Sequence, residues 1–389
     1  MPHPTDLFPN LSWPAYLDHA AIGPMAQRTV DAGTAALQAL SRDGKHAMGP
    51  LHGALATTRD RFAELVHGDP GGVALVASTS AAVQAVAYGI DWQPGDGVVL
   101  LRGEFPTNLT PWLAAARTFE LQPHWLDVTD FRGPSGRGLS ALEALLKREQ
   151  VRLVAVSAVQ FRCGLRMPLR QMRSLCEAHG AELFVDAIQA LGAVPLDVRT
   201  DAHYLATGGQ KWLMGPLGTG LAYADPDRWA AMVPRLASWL SHTDPLNFLF
   251  DGPGLLRSDA PIQAGPAIVE GGSLNLPGHT ALGEALGLAL HPPIQDPFAH
   301  IQGLHDVLER GLVDLGFTSH RPALPAQRSG ILSVSPPAGH SAASLAAAAA
   351  ERGLSVSTPD GLLRLSPSWP NPVSDAHRAV ETLAALLRP

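Results

Sequence analysis

Lysine is almost missing from this chain. Of 28 basic side chains only three are lysines, Lys45, Lys147 and Lys211, so any chemistry that needs a primary amine has three candidates. Cysteine is as scarce. Cys163 and Cys176 are too few for a disulfide framework and lack the paired Cys/His spacing of a zinc site. Charge is thin, 16% of residues with a formal net of -7, and it forms no block of either sign. A nucleic-acid footprint needs clustered Lys and Arg, and so does a polybasic membrane patch; neither partner is expected. No run reaches the roughly 18 unbroken apolar residues of a membrane span. The opening MPHPTDLFPN has neither the basic nor the apolar region of a secretory signal. A soluble protein of a reducing compartment, the cytoplasm, is the expectation. The 16 histidines are scattered without ligand spacing, so no metal is expected.

What is present is a globular composition, 46% hydrophobic over 389 residues, which is too long for one ordinary core. From Val73 to Tyr223 strands and helices alternate. VALV runs into Ser78, Thr79 and Ser80 and then a helix to residue 90. VVLLRGEF (98–105), VRLVAVSAV (151–159), ELFVDA (182–187), HYLAT (203–207) and GTGLAYA (218–224) read as strands, the longer ones as continuous apolar runs that suit a parallel sheet buried on both faces. Between them a capping box, Ser140 to Glu143, opens a helix over 140–150, and a helix over 169–179 stops at Gly180. This alternation predicts an open α/β sheet with right-handed crossovers. Pro and Gly crowd 252–278. Beyond them come helix, including the Ala-rich 344–350, strands at 330–335 and 362–366, and a last helix over 374–387. The expected division is a large α/β unit over 26–280 and a smaller α+β unit made of 1–25 and 281–389.

Ligands of open α/β sheets bind at the carboxyl ends of the strands, and the polar residues collect there: Thr79, Ser80, Glu104, Asp186, Gln189 and Gly208–Lys211. Asp186 closes an apolar strand, where an unpaired carboxylate is expensive to bury. A protonated pyridine nitrogen would pair with it, and Gln189 would reach the ring hydroxyl; a plainer reading makes Asp186 the cap of the next helix. Lys211, in TGGQKWLMGPLGTG, has glycines before it and Trp212, Leu213 and Met214 after it. Desolvation there lowers an amine's pKa and favours the neutral, nucleophilic form. Lys45 and Lys147 read as solvated, and a phosphate-binding or snorkelling role remains the plainer alternative for Lys211. Thr79 and Ser80 at a helix N-terminus suit a phosphate. GPLGTG (215–220) has the wrong glycine order for a dinucleotide loop.

These motifs resemble the class V aminotransferases, the pyridoxal-phosphate (PLP) group that includes cysteine desulfurases, kynureninases and isopenicillin N epimerase-like proteins. The resemblance is carried in order by YLDHAAIGP (16–24), GEFPTNLTPW (103–112), FVDAIQALGAVPLDV with YLATGGQKWLMGPLGTGLAY, EGGSLN (270–275) and LLRLSPSWPN (362–371). It implies fold type I: a large, mostly parallel sheet with a smaller α+β domain. It implies a Schiff base on Lys211, Asp186 on the pyridine nitrogen, Gln189 on the ring hydroxyl and Phe105 stacked on the ring. Thr79 and Ser80 would hold the phosphate, and Ser273 would reach the phosphate of a neighbouring subunit across a homodimer. Arg364 would fork onto the substrate carboxylate, with Arg162 and Gln160 lining the pocket.

Three positions depart from the family. Gln210 stands where His or Tyr is common. Gly208 replaces a serine, with Thr207 the nearest substitute. Residues 353–364 hold no cysteine, which disfavours a persulfide-forming desulfurase. The expected activity is chemistry at Cα or Cβ of an amino acid, as an aminotransferase or a C–S or C–N lyase. Epimerase, kynureninase-like hydrolase and inactive cofactor-binding protein stand as alternatives.

Overall fold

Near-continuous apolar runs make the central sheet. In the computed structural model, which describes residues 4–388, seven strands form it: β1 (Val73–Val76), β2 (Gly97–Arg102), β3 (Gln122–Asp127), β4 (Val151–Ser157), β5 (Glu182–Asp186), β6 (Tyr204–Gly208) and β7 (Gly220–Ala224). Their order is β1-β7-β6-β5-β4-β2-β3. Neighbours are parallel except at β7, which runs antiparallel to β1 and to β6. Every residue of β1, β5, β6 and β7 is buried. That is why these strands read as unbroken apolar runs rather than alternating ones.

Helices cover both faces. On one, Met48–Val66, Arg137–Arg148, Leu169–Ala178 and Leu276–Ala289 bury Leu55, Phe62, Leu142, Met172 and Leu282 against Val154, Val156 and Val185. On the other, Thr79–Gly89 and Thr110–Thr118 enclose Trp112, Trp229 and Phe184. Trp112 meets Phe184 edge-on at 4.9 Å between ring centroids, a pairing worth roughly 0.5–1.5 kcal/mol beyond the burial of the two rings.

A second core lies under a three-stranded antiparallel sheet, Leu363–Leu365, Leu332–Ser335 and Thr318–Ser319. Helices Gln295–Asp314, Ala342–Ala350 and Val373–Leu387 pack on it through Leu304, Leu308, Leu345, Ala379 and Leu383. Strand Ala15–Tyr16 pairs in parallel with Leu354–Ser355, so an early segment is tied to a late one. Residues 1–3 and 389 of the expected smaller unit lie outside the described residues.

Two boundaries differ from expectation for identifiable reasons. The helix expected from Ser140 begins at Arg137, behind Gly136 in the left-handed region. The Ser140 N–H already donates to the Gly136 carbonyl, so the apparent capping box lies inside the helix. The strand expected over 98–105 stops at Arg102. Gly103 at φ +94° turns the chain and delivers Glu104 and Phe105 to the end of the sheet.

Candidate active site

The strand ends converge on a cavity of about 210 Å³ lined by Thr79, Ser80, Phe105, Asp186, Gln189 and Lys211, together with Ser78, Thr107, Ser157, Val159, Phe161, Ile188 and Gln210. A larger cavity of about 460 Å³ lies across Val159, between the 133–138 loop and the start of helix Leu169–Ala178. It holds Arg166 and Asp201 but none of the strand-end acids or lysines, so the concentrated chemistry is in the smaller one.

Asp186 ends β5, which pairs in parallel with β4 from Glu182 beside Leu153 to Asp186 beside Ser157. It is 3% exposed, and its Oδ1 accepts only the Ile188 N–H, at 3.0 Å. Burial, with the nearby Glu104 charge, pushes its pKa up to about 7. No helix starts at Asp186: a turn follows over 188–193, and the next helix, Val198–Asp201, begins behind Asp197. Lys211 follows β6, and burial pushes its amine down to about 8 despite the opposing pull of Asp186. Its Nζ lies 5.7 Å from the centre of the Phe105 ring. Phe105, 44% exposed, meets Phe161 edge-on at 5.2 Å, and both line the cavity.

Helix Thr79–Gly89 starts behind Ser78, whose hydroxyl accepts the Ala81 N–H at 3.2 Å. Ser80 Oγ and Thr107 Oγ1 are 3.0 Å apart. Thr79 Oγ1 is buried with no hydrogen-bond partner among the described residues. A buried hydroxyl without a partner is costly, and here it sits at the positive end of a helix that favours anions. Gln189 is anchored at both ends: Nε2 donates to the Ala20 carbonyl at 3.0 Å, and Oε1 accepts the Trp212 indole N–H at 2.8 Å. One amide hydrogen remains free for the cavity.

Gly208 and Gln210 turn out to be a coupled pair. A Cβ at 208 would fall 2.4 Å from Gln210 Oε1 and 2.9 Å from Thr79 Oγ1. The glutamine side chain folds into the space that any side chain at 208 would need. The N-terminal segment approaches equally closely. Gly23 N–H donates to the Gln210 carbonyl at 2.8 Å, and a Cβ there would lie 2.1 Å from the Lys211 carbonyl oxygen, so only glycine fits.

Other sequence candidates lie apart from the lining. Arg364 is buried behind it, donating through Nε to Ser357 Oγ and through Nη1 to the Phe161 carbonyl, both at 3.0 Å. Arg162 turns outward to Asp360, at 2.6 Å. Ser273 is exposed. Thr207 is buried, with its hydroxyl turned to the Gly208 carbonyl at 3.3 Å. Gln160 donates at 2.9 Å to Glu104, which also accepts the Ser157 N–H at 2.7 Å and the Ser157 hydroxyl. Sequence reasoning missed Ser157, Thr107, Phe161 and Ile188 as lining residues. Ser157 alone had a readable signal, a hydroxyl at the carboxyl end of a buried strand.

An amine softened by burial, a buried acid lacking a cation and an unpartnered hydroxyl at a helix N-terminus together suit an anionic pyridine aldehyde. Residues 15–367 match the family described as Aminotransferase class-V. The chain belongs to the class V aminotransferases.

Among relatives of this class V member, it is 28% identical over 235 residues to a probable cysteine desulfurase of Methanothermobacter thermautotrophicus, covering 60% of this chain and 54% of that protein. It is 28% identical over 186 residues to isopenicillin N epimerase of Streptomyces clavuligerus, covering 46% of each. The chain thus spans about half the length of these curated relatives. The solved complex of a cystine C–S lyase with its product cysteine persulfide superposes with a TM-score of 0.84 at 22% identity, covering 97% of this chain and 99% of that one. That likeness establishes the fold, which is the fold type I arrangement of PLP-dependent enzymes. The cofactor of the class V family is PLP, and the residues around the cavity fit it.

Proposed function

We propose that this chain is a PLP-dependent enzyme acting at Cα and Cβ of an α-amino acid, as a C–S or C–N lyase or an aminotransferase. The observation that carries the reading is one cavity shared by a buried amine pushed down to about 8 and a buried carboxyl pushed up to about 7. Each lacks a full complement of partners, and each is suited to one end of the same cofactor. Two of the relatives' names, cysteine desulfurase and cystine C–S lyase, favour lyase chemistry on a sulfur-bearing amino acid. The absence of cysteine from residues 353–364 argues against a persulfide carried on the protein.

When bound, PLP would supply an aldehyde reactive toward amines and a ring that withdraws electrons from Cα. Asp186 would hold a proton at the pyridine nitrogen, and Gln189 would give its free amide hydrogen to the ring hydroxyl. Thr79, Ser80 and Gln210 would hold the phosphate, with the uncapped N–H groups of the helix. Phe105 would lie against the ring. Lys211 Nζ takes the proton from the substrate Cα and returns it, the role of a general base whose pKa lies near the working pH. Arg364 holds the substrate carboxylate, from its place against the Phe161 carbonyl at the cavity wall. Arg162 and Thr207 support the pocket from outside the lining.

We also infer a homodimer whose Ser273 reaches the partner's phosphate site, because Ser273 is exposed and the 236–262 segment presents Trp239, Leu249, Phe250 and Leu256 to solvent. Residues 26–280 act as the cofactor-binding unit, with 1–25 and 281–389 as the substrate-side unit. No helix among the described residues is long and apolar enough to cross a membrane, and two free thiols suit the cytoplasm.

The test is reconstitution with PLP, borohydride reduction and peptide mapping, with an adduct expected on Lys211. A screen of L-amino acids and cystine should then record keto acid, ammonia, sulfide and optical inversion together. A colourless protein with no adduct at Lys211 ends the reading.

A further inference from the structure

YLDHAAIGP was singled out in the sequence, yet no role above uses its acid. Asp18 is 9% exposed. Its backbone bridges to Ser366, two residues past Arg364. Its Oδ1 accepts the Ser357 hydroxyl at 2.7 Å and lies 3.6 Å from Arg364 Nη2. Ser357 also accepts Arg364 Nε at 3.0 Å. Its backbone pairs with Arg364 as well: Arg364 N–H donates to the Ser357 carbonyl at 2.7 Å. One edge of the guanidinium, Nε with Nη2, therefore faces a serine and an acid that hold each other. Nη1 reaches the Phe161 carbonyl at the cavity wall. A guanidinium carries five N–H groups, so donors remain for an incoming carboxylate.

We propose that Asp18, bridged by Ser357, is a positioning residue that fixes the guanidinium plane of Arg364 for the substrate carboxylate. The inference rests on the reading of Arg364 and Lys211 given under Proposed function. A planar fork gains from bidentate recognition only when its plane is set beforehand. Free rotation about the last torsions would spend part of the binding on ordering the side chain. Asp18 also stands between two cations. The charged groups facing Lys211 are Asp186 from β5, Arg364 from strand Leu363–Leu365 and Asp18 from the N-terminal segment. Asp18 and Asp186 favour the protonated amine, and Arg364 opposes it. Losing Asp18 would thus act on the carboxylate subsite and on the amine together, whereas losing Ser357 would act on the subsite alone.

The experiment uses the PLP-loaded full chain and two probes, L-alanine and its carboxylate-free counterpart ethylamine, followed by the absorbance of the bound cofactor. For Asp18→Asn the half-saturating L-alanine concentration should rise about tenfold or more, while that of ethylamine stays within about twofold. The pH midpoint of the cofactor absorbance should move down. Ser357→Ala should raise the L-alanine value alone and leave the midpoint in place. Asp18→Glu should recover part of the loss. If Asp18→Asn does not fold, Ser357→Ala decides by itself. Unchanged L-alanine affinity in Ser357→Ala overturns the proposal, as does tighter L-alanine binding in Asp18→Asn, which would make Asp18 a competitor for the arginine. A wild type that answers L-alanine and ethylamine equally would instead refute the carboxylate role of Arg364, a separate and earlier failure.

Discussion

Replacing Asp186 by Asn should stabilise the protein without its cofactor while weakening the hold on the cofactor. In the folded chain the Asp186 carboxyl is pushed up from 3.8 to about 7. A folded-state pKa above the unfolded one means that the folded chain binds the extra proton. Stability is then lost as pH rises from about 4 to about 7, and the full penalty persists above that. At 1.36 kcal/mol per unit, a shift of about three units amounts to about 4 kcal/mol. Water at the cavity raises the effective dielectric and leaves about half of that. Asn keeps the oxygen that accepts the Ile188 N–H and removes the charge. Cofactor-free Asp186→Asn should therefore unfold at a higher midpoint than wild type at about pH 8–9 and at the same midpoint near about pH 4. Thermal or urea unfolding across that range measures it, with cofactor dissociation followed in parallel. If the variant gains nothing at alkaline pH, or gains equally at both ends of the range, the acid is not buried unpaired and its pairing with a pyridine nitrogen loses its physical basis.

The amine of Lys211, pushed down from 10.5 to about 8, should give a rate limited by proton removal that climbs about fivefold between about pH 7 and about pH 8 and levels above about pH 9. The pH profile of kcat reads this. Thr79→Val should raise the PLP dissociation constant about tenfold while stabilising the cofactor-free protein by about 1 kcal/mol, because it removes a buried hydroxyl that has no protein partner; fluorescence titration and melting report the two opposite signs. Gly208→Ser should weaken cofactor binding, since its Cβ would fall 2.4 Å from Gln210 Oε1. Gly208→Ser with Gln210→Ala should recover much of the loss, which a double-mutant cycle on cofactor affinity resolves.

The sheet was legible because burial on both faces makes its strands largely apolar, and β1, β2, β4 and β5 read as such runs, while β6 and β7 read as strands from their place in the alternation. β3 did not: QPHWLD is an edge strand with exposed and half-buried residues and carries no apolar run. Local chemistry singled out Lys211, an amine among apolar neighbours, whereas Asp186 behind its strand reads alone as an ordinary cap and was assigned a role only through likeness to a family. Arg364 could be named only through likeness to a family, because its setting is built from residues 18, 161 and 357, which no local pattern connects. The two departures at 208 and 210 looked like independent losses in the sequence. In the fold they are one exchange, since a side chain at the first position and the glutamine at the second compete for the same space. The false capping box at Ser140 shows the opposite failure, a local signal overridden because Gly136 starts the helix one turn earlier.

Strand Ala15–Tyr16 lies beside Leu354–Ser355, and Asp18 lies beside Ser366. The groups expected to grip the cofactor within one chain all fall between residues 79 and 211. Those expected to grip the substrate are knotted together from both extremes of the described chain, and closing so long a loop delays their assembly. During synthesis the vitamin-binding half can therefore mature while the acid-binding half is still in pieces.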